Sequence, residues 1–210
     1  MTTLIIIAKE TLPGRVKTRL HPPLSLEQAA ELAAASVADT LETLAALPAE
    51  RHILLFDGVN PPPNSEAFEV IPQSAGDLDE RLASIFDLVT GRTLLVGMDT
   101  PQLTASHLAP IFDPSPSVDA WFGPAYDGGF WALGMEEPRG DLIRGVPMSR
   151  DDTGAIQLSR LHLAGLRVKM LASLTDVDTI DSALEVAFDA PSSRFARTLA
   201  TFTISEGMTV

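Results

Sequence analysis

The sequence predicts an α/β domain, with a mostly parallel sheet covered by helices on both faces. Three observations lead to this prediction. Apolar strand-like runs alternate with helical segments along the 210 residues. The runs at residues 4–8 and 93–97 are continuously apolar, which is typical of strands buried on both faces. A tight turn near Asp127 predicts one antiparallel insertion. Since this length suffices for one such domain and is short for two, residues 1–210 are expected to form a single domain.

Each predicted element has a local basis. Strands are assigned to short runs of branched apolar residues, and helices to segments whose apolar positions recur every three or four residues. Ser25 and Gln28 have capping-box spacing, which predicts a long helix that ends near Pro48. In chain order, the other predicted elements are strands over 4–8, 52–56 and 68–71, a helix over 77–89, a strand over 93–97, a helix over 104–112, strands over 118–122 and 129–134, a helix over 150–164, a strand over 168–171 and a helix over 180–188. Residues 190–210 lack a strong period and are expected to be either a tail or an arm that contacts a partner. A homodimer is a further expectation.

Composition argues against several classes of function. A net charge of −13 and a pI near 4.6 do not suit duplex nucleic-acid binding, which requires a broad basic face. The absence of cysteine excludes disulfides, thiolate zinc sites and a cysteine nucleophile. No window approaches the roughly 20 apolar residues that a membrane span requires. We therefore expect a cytoplasmic protein that does not bind nucleic acid.

A basic loop follows the first predicted strand. Lys9, Arg15, Lys17 and Arg19 are four of the fifteen lysines and arginines, and they fall within eleven positions of an otherwise acidic chain. Pro13-Gly14 constrains the backbone where these cations converge. Because the carboxyl end of a buried strand is where open α/β sheets hold phosphate ligands, the loop is a candidate phosphate site. The alternative is a solvated surface loop with scattered charges.

A carboxylate follows the strand predicted over residues 93–97. Asp99 is expected to lie at the same sheet edge as the basic loop, where it could bind Mg²⁺ or Mn²⁺, ions that take oxygen ligands and bridge to phosphate. Pro101 would rigidify this turn. The alternative is that Asp99 only caps the loop that follows it.

A second acidic pair, Asp176 and Asp178, occurs late in the chain. Two carboxylates at positions i and i+2 of an extended segment point the same way, so both could face one cation. The spacing favours equally an interpretation in which Asp178 or Thr179 caps the following helix.

Three further segments are weaker candidates. Asp127, Gly128 and Gly129 form a hairpin-like turn whose glycines would let a substrate approach the backbone, although a plain hairpin explains them as well. One of the two other segments opens a predicted helix and the other precedes one, so helix capping explains both equally. They contain Gly76, Asp77 and Arg81, which could contact a nucleotide, and Ser149, which could face an acceptor.

Taken together, these motifs resemble the nucleotide-diphospho-sugar transferase superfamily in order and spacing. The matching segments are residues 8–20, 76–81, 97–101, 123–129 and 176–179. The resemblance is to a largely uncharacterised bacterial branch whose members are often labelled glycosyltransferases. This branch is similar to phospholactate guanylyltransferases and, more distantly, to molybdenum-cofactor nucleotidyltransferases. The resemblance extends from about residue 4 to residue 188.

The resemblance implies a fold and a set of roles. The fold would be a three-layer, Rossmann-like GT-A domain, and the nucleotide phosphates would lie against the loop after the first strand. Asp99 would be the principal ligand of Mg²⁺ or Mn²⁺, completed by Asp178 and Asp176. By position in the motifs, the phosphate-binding residues would be Lys9, Gly14, Arg15, Lys17 and Arg19, and the acceptor side would include Asp127, Gly128, Gly129 and Ser149.

These roles predict a metal-dependent transferase that acts on a nucleoside triphosphate or a nucleotide-sugar. The favoured reaction is nucleotidyl transfer to a small acceptor that bears a phosphate or carboxylate, with Asp99, Lys17 and Arg19 as the catalytic group. Glycosyl transfer from a nucleotide-sugar is the alternative, but glycosyltransferases of this fold usually carry an Asp-x-Asp pair where this chain has Pro101. A non-catalytic nucleotide-binding protein is the third hypothesis.

Overall fold

Strands and helices alternate along residues 1–113 and 117–202, the part of the chain that the computed structural model describes. The strands are β1 (Thr2–Lys9), β2 (Arg51–Asp57), β3 (Glu69–Pro72), β4 (Arg92–Val96), β5 (Ala120–Pro124), β6 (Phe130–Met135) and β7 (Val168–Met170). The helices are α1 (Leu26–Ala45), α2 (Leu78–Leu88), α3 (Ala105–Leu108), α4 (Thr153–Leu163), α5 (Ile180–Asp189) and α6 (Arg194–Ala200). Short 3₁₀ turns cover Thr18–Leu20, Ala109–Ile111 and Gly140–Leu142.

The strands form one mixed sheet in the order β3-β2-β1-β4-β6-β5-β7. The strand β6 is antiparallel to both of its neighbours, β4 and β5, whereas every other pairing in the sheet is parallel. This arrangement confirms the predicted mostly parallel sheet and its single antiparallel insertion. The carboxyl ends of the six parallel strands therefore lie at one edge of the sheet.

Both faces of the sheet are buried at its central strands, which is why β1, β2 and β4 carry continuous apolar runs. In β1, Leu4 and Ile6 pack into the core on the α1 side, while Ile5 packs into a second core on the α2 side. The predicted capping box of α1 is formed, since Gln28 N donates to Ser25 Oγ at 3.1 Å and Ser25 N donates to Gln28 Oε1 at 2.8 Å. The three-layer prediction is confirmed.

The segment after residue 190 differs from its prediction. Its first part is not a free tail, because α6 packs on α1 through Phe195, which is 1% exposed, and Leu199. Asp39 of α1 accepts hydrogen bonds from the backbone N–H groups of Arg194 at 2.9 Å and Phe195 at 2.8 Å. With only seven residues, this helix is too short to give a clear period in the sequence. The rest of the predicted arm, from residue 203, lies outside the described residues.

Two helices are shorter than predicted. The helix expected over 104–112 is α3 followed by a 3₁₀ turn that contains Pro110, whose ring and missing N–H prevent a regular continuation. The helix expected from residue 150 begins at Thr153. In the described parts of the chain, every helix is too short or too polar to cross a lipid bilayer.

Candidate functional site

The basic loop and Asp99 meet at the carboxyl edge of the sheet, as the sequence predicts. Strands β1 and β4 are parallel neighbours with Ile6 opposite Val96, so the segments that follow them leave the sheet side by side. The Nζ atom of Lys17 lies 2.8 Å from Asp99 Oδ1. The two strongest candidate motifs are therefore in direct contact.

Hydrogen bonds join the segment around Asp176 to the turn after β4. Val177 N donates to the carbonyl oxygen of Asp99 at 2.9 Å, and Gln102 Nε2 donates to the carbonyl oxygen of Thr175 at 2.7 Å. These hydrogen bonds lay residues 175–177 alongside the turn after β4. The carboxylates of the two acidic motifs are thereby brought together.

The alternatives for Asp178 and Thr179 separate in the structure. Thr179 is the N-cap of α5 and forms a capping box with Ser182. The Asp178 carboxylate instead accepts from Lys17 Nζ at 3.2 Å through Oδ1 and from Arg19 Nη1 at 3.3 Å through Oδ2. Thr179 caps the helix, and Asp178 faces the basic loop.

Lys17 is the most constrained cation of the loop. Its side chain is 8% exposed, and its backbone is left-handed with φ 47° and ψ 37°, a conformation that costs a non-glycine residue about 1–2 kcal/mol. Burial by itself lowers the pKa of Lys17, but the carboxylates of Asp99 and Asp178 outweigh it, and the pKa is raised. Lys17 is therefore a charged ammonium in contact with two carboxylates.

Asp176 lies in the same electrostatic environment but is more enclosed. Burial and the carboxylates of Asp99, Asp127 and Asp178 raise the pKa of Asp176 to about 7, while Lys17 opposes this rise. Its Oδ1 atom is shielded from solvent and has no hydrogen-bond partner among the described residues. Asp176 therefore has one unsatisfied carboxyl oxygen, close to the ion pairs that Lys17 forms with Asp99 and Asp178.

This raised pKa predicts a pH-dependent cost in stability. An unfolded aspartate has a pKa near 3.8, so the folded protein binds a proton that the unfolded chain has lost between about pH 4 and pH 7. The free energy of unfolding therefore falls as pH rises through this range and levels off above it. Asp176→Asn removes this fall. The free energy of unfolding of the variant minus that of wild type should therefore rise by about 2 kcal/mol from pH 5 to pH 8. Urea unfolding in the presence of a chelator measures this difference.

Asp141 provides the control for this comparison. It is exposed, and its hydrogen bond to Arg139 lowers its pKa, so its titration lies below this pH range. Asp141→Asn should therefore differ from wild type by the same amount at pH 5 and pH 8. A pH-independent difference for Asp176→Asn would contradict the raised pKa.

The donor types suit a hard cation, although the predicted centre is not formed as three converging ligands. Asp99, Asp176 and Asp178 supply carboxylate oxygens, the donors that Mg²⁺ and Mn²⁺ take, and Asp176 Oδ1 lacks a hydrogen-bond donor within the described ranges. Across residues 1–113 and 117–202, however, no group of three or more His, Cys, Asp or Glu is arranged to hold a metal ion. Mg²⁺ is usually bound by one or two carboxylates together with substrate phosphates and water. The Asp99–Asp178 pair suits that mode of binding.

The other cations of the loop differ in their availability. Lys9 and Arg15 are exposed, and neither side chain makes a hydrogen bond or ion pair within the described parts of the chain. Arg19 is 77% exposed despite its contact with Asp178. Gly14 has φ 75°, a left-handed turn conformation that glycine adopts without steric cost. The side chains of Lys9, Arg15 and Arg19 could therefore reach a phosphate without breaking a buried contact.

Arg81 already has partners at the next strand end. It forms an ion pair with Asp57 at 3.2 Å and donates to Gln73 Oε1 at 3.1 Å and to the carbonyl oxygen of Gly76 at 2.9 Å. Asp77 is the exposed N-cap residue of α2, and within the described residues its side chain makes no capping hydrogen bond. A nucleotide contact by these residues stays a prediction.

Gly128, in the turn after β5, approaches protein backbone rather than open space. Gly128 has φ 89°, and a Cβ atom there would lie 1.9 Å from the carbonyl oxygen of Asp151. Gly154 N donates to the carbonyl oxygen of Gly128 at 2.8 Å, and Asp127 Oδ1 accepts from Gly129 N at 2.8 Å. The expected close approach at Gly128 is to the start of α4.

Ser149 lies in the loop that leads to the same helix end. It is exposed and has φ 59°, and Thr153 anchors the loop by donating to the carbonyl oxygen of Pro147 at 2.8 Å. The carboxylate of Asp127 is close enough to Asp176 to raise its pKa. Asp127 thus lies near Asp176, and the roles of Asp127 and Ser149 on the acceptor side stay predictions.

Glu10 is a structural residue of the basic loop that the sequence did not indicate. Its Oε2 accepts from Val59 N at 2.9 Å and its Oε1 accepts from Asn60 Nδ2 at 2.7 Å, and these contacts lower the pKa of Glu10. A single acidic residue among four cations was the available clue. Glu10 ties the loop after β1 to the loop after β2.

Comparison with known proteins identifies a family and a fold. The model of a family described as "Uncharacterized protein conserved in bacteria (DUF2064)" matches residues 29–150. No curated protein matches the sequence significantly. A structure from Desulfovibrio desulfuricans G20, described as a "putative nucleotide-diphospho-sugar transferase", is 24% identical with a TM-score of 0.83, and the alignment covers 95% of this chain and 94% of that one.

Two more distant structures share the same fold. A nucleotidyl transferase from Methanothermobacter is 15% identical with a TM-score of 0.54, over 96% of this chain and 99% of that one. A CMP:2-keto-3-deoxy-manno-octonic acid synthetase complexed with CTP is 12% identical with a TM-score of 0.51, over 96% and 99%. At these identities the similarities establish the fold, and they confirm the predicted resemblance at that level.

Proposed function

The chain belongs to the bacterial family DUF2064, and we propose that it is a metal-dependent nucleotidyltransferase. It would transfer a nucleotidyl group from a nucleoside triphosphate to a small acceptor that carries a phosphate or carboxylate, with release of pyrophosphate.

The observation that carries this proposal is the contact of Lys17 with Asp99 and Asp178. These residues come from the loop after β1, the turn after β4 and the segment before α5, and they meet at the carboxyl edge of the sheet at 2.8 Å and 3.2 Å. This edge is where open α/β sheets bind ligands. Cations and carboxylates in contact there supply both charges that a metal–nucleotide complex requires.

The exposed cations would bind the phosphate groups. In the proposed reaction an acceptor oxygen attacks the α-phosphorus, the bond from that phosphorus to the bridging oxygen breaks, and pyrophosphate leaves with the electron pair. Lys9, Arg15 and Arg19 would neutralise the charge that develops on the leaving group, because their side chains are open to solvent at this edge. No protein nucleophile is required, in keeping with a chain that lacks cysteine.

Asp99 and Asp178, with Asp176 beside them, would hold a divalent cation together with the phosphates. Such an ion, Mg²⁺ or Mn²⁺, supplies charge neutralisation and polarisation of a phosphoryl oxygen when bound. Asp127 and Ser149 would face the acceptor, because Asp127 lies close enough to Asp176 to raise its pKa and the turn after β5 packs against the start of α4, shortly after Ser149.

Glycosyl transfer from a nucleotide-sugar is the second candidate. The similar Desulfovibrio structure, described as a nucleotide-diphospho-sugar transferase, favours it. Pro101 argues against it, since it stands where glycosyltransferases of this fold usually carry a second aspartate. The same basic loop would then bind the diphosphate of the sugar donor.

A product assay separates these candidates. The protein is incubated with Mg²⁺ or Mn²⁺, each nucleoside triphosphate in turn and a panel of small phosphorylated and carboxylated acceptors, and pyrophosphate is measured. Parallel reactions contain nucleotide-sugars, and released sugar is measured. We expect metal-dependent pyrophosphate release. Sugar release without pyrophosphate would establish the second candidate, and nucleotide binding without any turnover would indicate a binding protein.

A further inference from the structure

We propose that Lys17 occupies the place of the divalent cation in the free protein, and that the cation joins Asp99 and Asp178 only as a phosphate group takes over the ammonium. This inference rests on the proposed function. It makes Lys17 a positioning residue that couples metal binding to phosphate binding, in addition to its expected contact with phosphate.

The position of Lys17 is the first support. Its Nζ atom lies between the two carboxylates, 2.8 Å from Asp99 Oδ1 and 3.2 Å from Asp178 Oδ1, and the side chain is 8% exposed. Lys17 keeps a left-handed backbone while its side chain contacts both carboxylates. A strained conformation of this kind persists where the surrounding contacts maintain it.

The dimensions of the gap are the second support. Mg²⁺ binds carboxylate oxygens at about 2.0–2.1 Å, so Asp99 and Asp178 would each have to move inward by about 1 Å relative to their distance from Nζ. An ammonium between them prevents this movement. A divalent cation and the ammonium also repel each other, and the enclosed site screens this repulsion less than water would. The two cations are therefore alternative occupants.

The surrounding charges indicate where the ammonium goes. Lys9 and Arg15 in the same loop are exposed, so a bound phosphate would lie next to the loop that carries Lys17. A phosphate oxygen would replace the carboxylates as the partner of the ammonium, with no buried charge left unpaired. Metal and phosphate should then raise each other's affinity by the same factor, since coupling between two binding sites is reciprocal.

Mn²⁺ binding provides a direct test that does not depend on turnover. Electron paramagnetic resonance of free Mn²⁺ gives the metal affinity of the whole protein, first without any phosphate compound. Lys17→Met removes the charge and keeps the length of the side chain. We expect this variant to bind Mn²⁺ about tenfold more tightly than wild type or better, by analogy with the effect of a neighbouring like charge on a pKa.

The coupling is tested by repeating the titration with inorganic triphosphate, after correction for the Mn²⁺–triphosphate complex formed without protein. Triphosphate should strengthen Mn²⁺ binding to wild type and have a much smaller effect on Lys17→Met. Lys169→Met is the matched control, because Lys169 is an exposed residue of β7, and it should behave as wild type. Lys17→Gly, which tolerates the left-handed backbone, should reproduce the gain if Lys17→Met folds poorly.

The outcomes distinguish this inference from the proposed function. Mn²⁺ affinity that is unchanged or weaker in both folded Lys17 variants would overturn the inference, even if pyrophosphate release is observed. Tighter Mn²⁺ binding in these variants supports it, even if the product assay detects no pyrophosphate and the proposed function fails.

Discussion

Asp99→Asn is expected to reduce metal-dependent turnover by at least about 10²-fold, because the proposed metal contributes several kcal/mol of transition-state stabilisation. Asparagine keeps the size of the side chain and replaces the negatively charged carboxylate by a neutral amide. The substitution also removes the shorter of the two ion pairs of Lys17, at 2.8 Å. The measurement is the initial rate of pyrophosphate release with Mg²⁺ or Mn²⁺.

The fold should survive this substitution. Asp99 is 38% exposed and Lys17 retains Asp178 at 3.2 Å, so the free energy of unfolding without metal should change by no more than about 1 kcal/mol. Asp141→Asn, at an exposed ion pair on the 3₁₀ turn after β6, is the control and should keep full activity. Full turnover in Asp99→Asn would remove Asp99 from the proposed metal site.

Gly128→Ala is expected to destabilise the fold by about 3 kcal/mol or more. The added Cβ would lie 1.9 Å from the carbonyl oxygen of Asp151, so the turn after β5 and the start of α4 would have to separate. That movement would also break the hydrogen bond from Gly154 N to the carbonyl oxygen of Gly128, which is 2.8 Å long. Urea unfolding measures the loss.

Gly165→Ala separates this clash from the cost of a left-handed backbone. Gly165 has φ 78°, close to the 89° of Gly128, but nothing lies within 4 Å of a Cβ added there. Its substitution should cost only about 1–2 kcal/mol. Equal losses for the two variants would show that backbone conformation alone, and not packing against α4, explains the glycine at position 128.

Much of the candidate site was predictable because it depends on where strands end. Strands at residues 4–8 and 93–97 are recognisable from local composition, and parallel strands in one sheet end at the same edge. The basic loop and Asp99 therefore had to lie on the same side of the molecule. The capping box of α1 was predictable for a similar reason, since Ser25 and Gln28 are only three positions apart.

Other parts of the fold and of the candidate site depend on contacts between residues far apart in the chain, which no local pattern contains. The spacing of Asp176 and Asp178 left helix capping and cation binding equally favoured. In the structure Thr179 caps α5 and Asp178 contacts Lys17, 161 positions away, while metal binding stays a prediction. The docking of α6 depends on Asp39, a residue of α1 more than 150 positions earlier in the chain. The turn at Gly128 looked open to a substrate until α4 was placed against it.

The sequence by itself determined the α/β fold, the edge of the sheet at which the candidate site lies and the charged residues that are available there. These follow from apolar periodicity and from residue types, both of which are local properties. Only the tertiary structure decided that the ammonium of Lys17 lies between Asp99 and Asp178. That position depends on a left-handed backbone and on two carboxylates from distant segments. These are brought together only when the chain folds, so no local pattern in the sequence contains them.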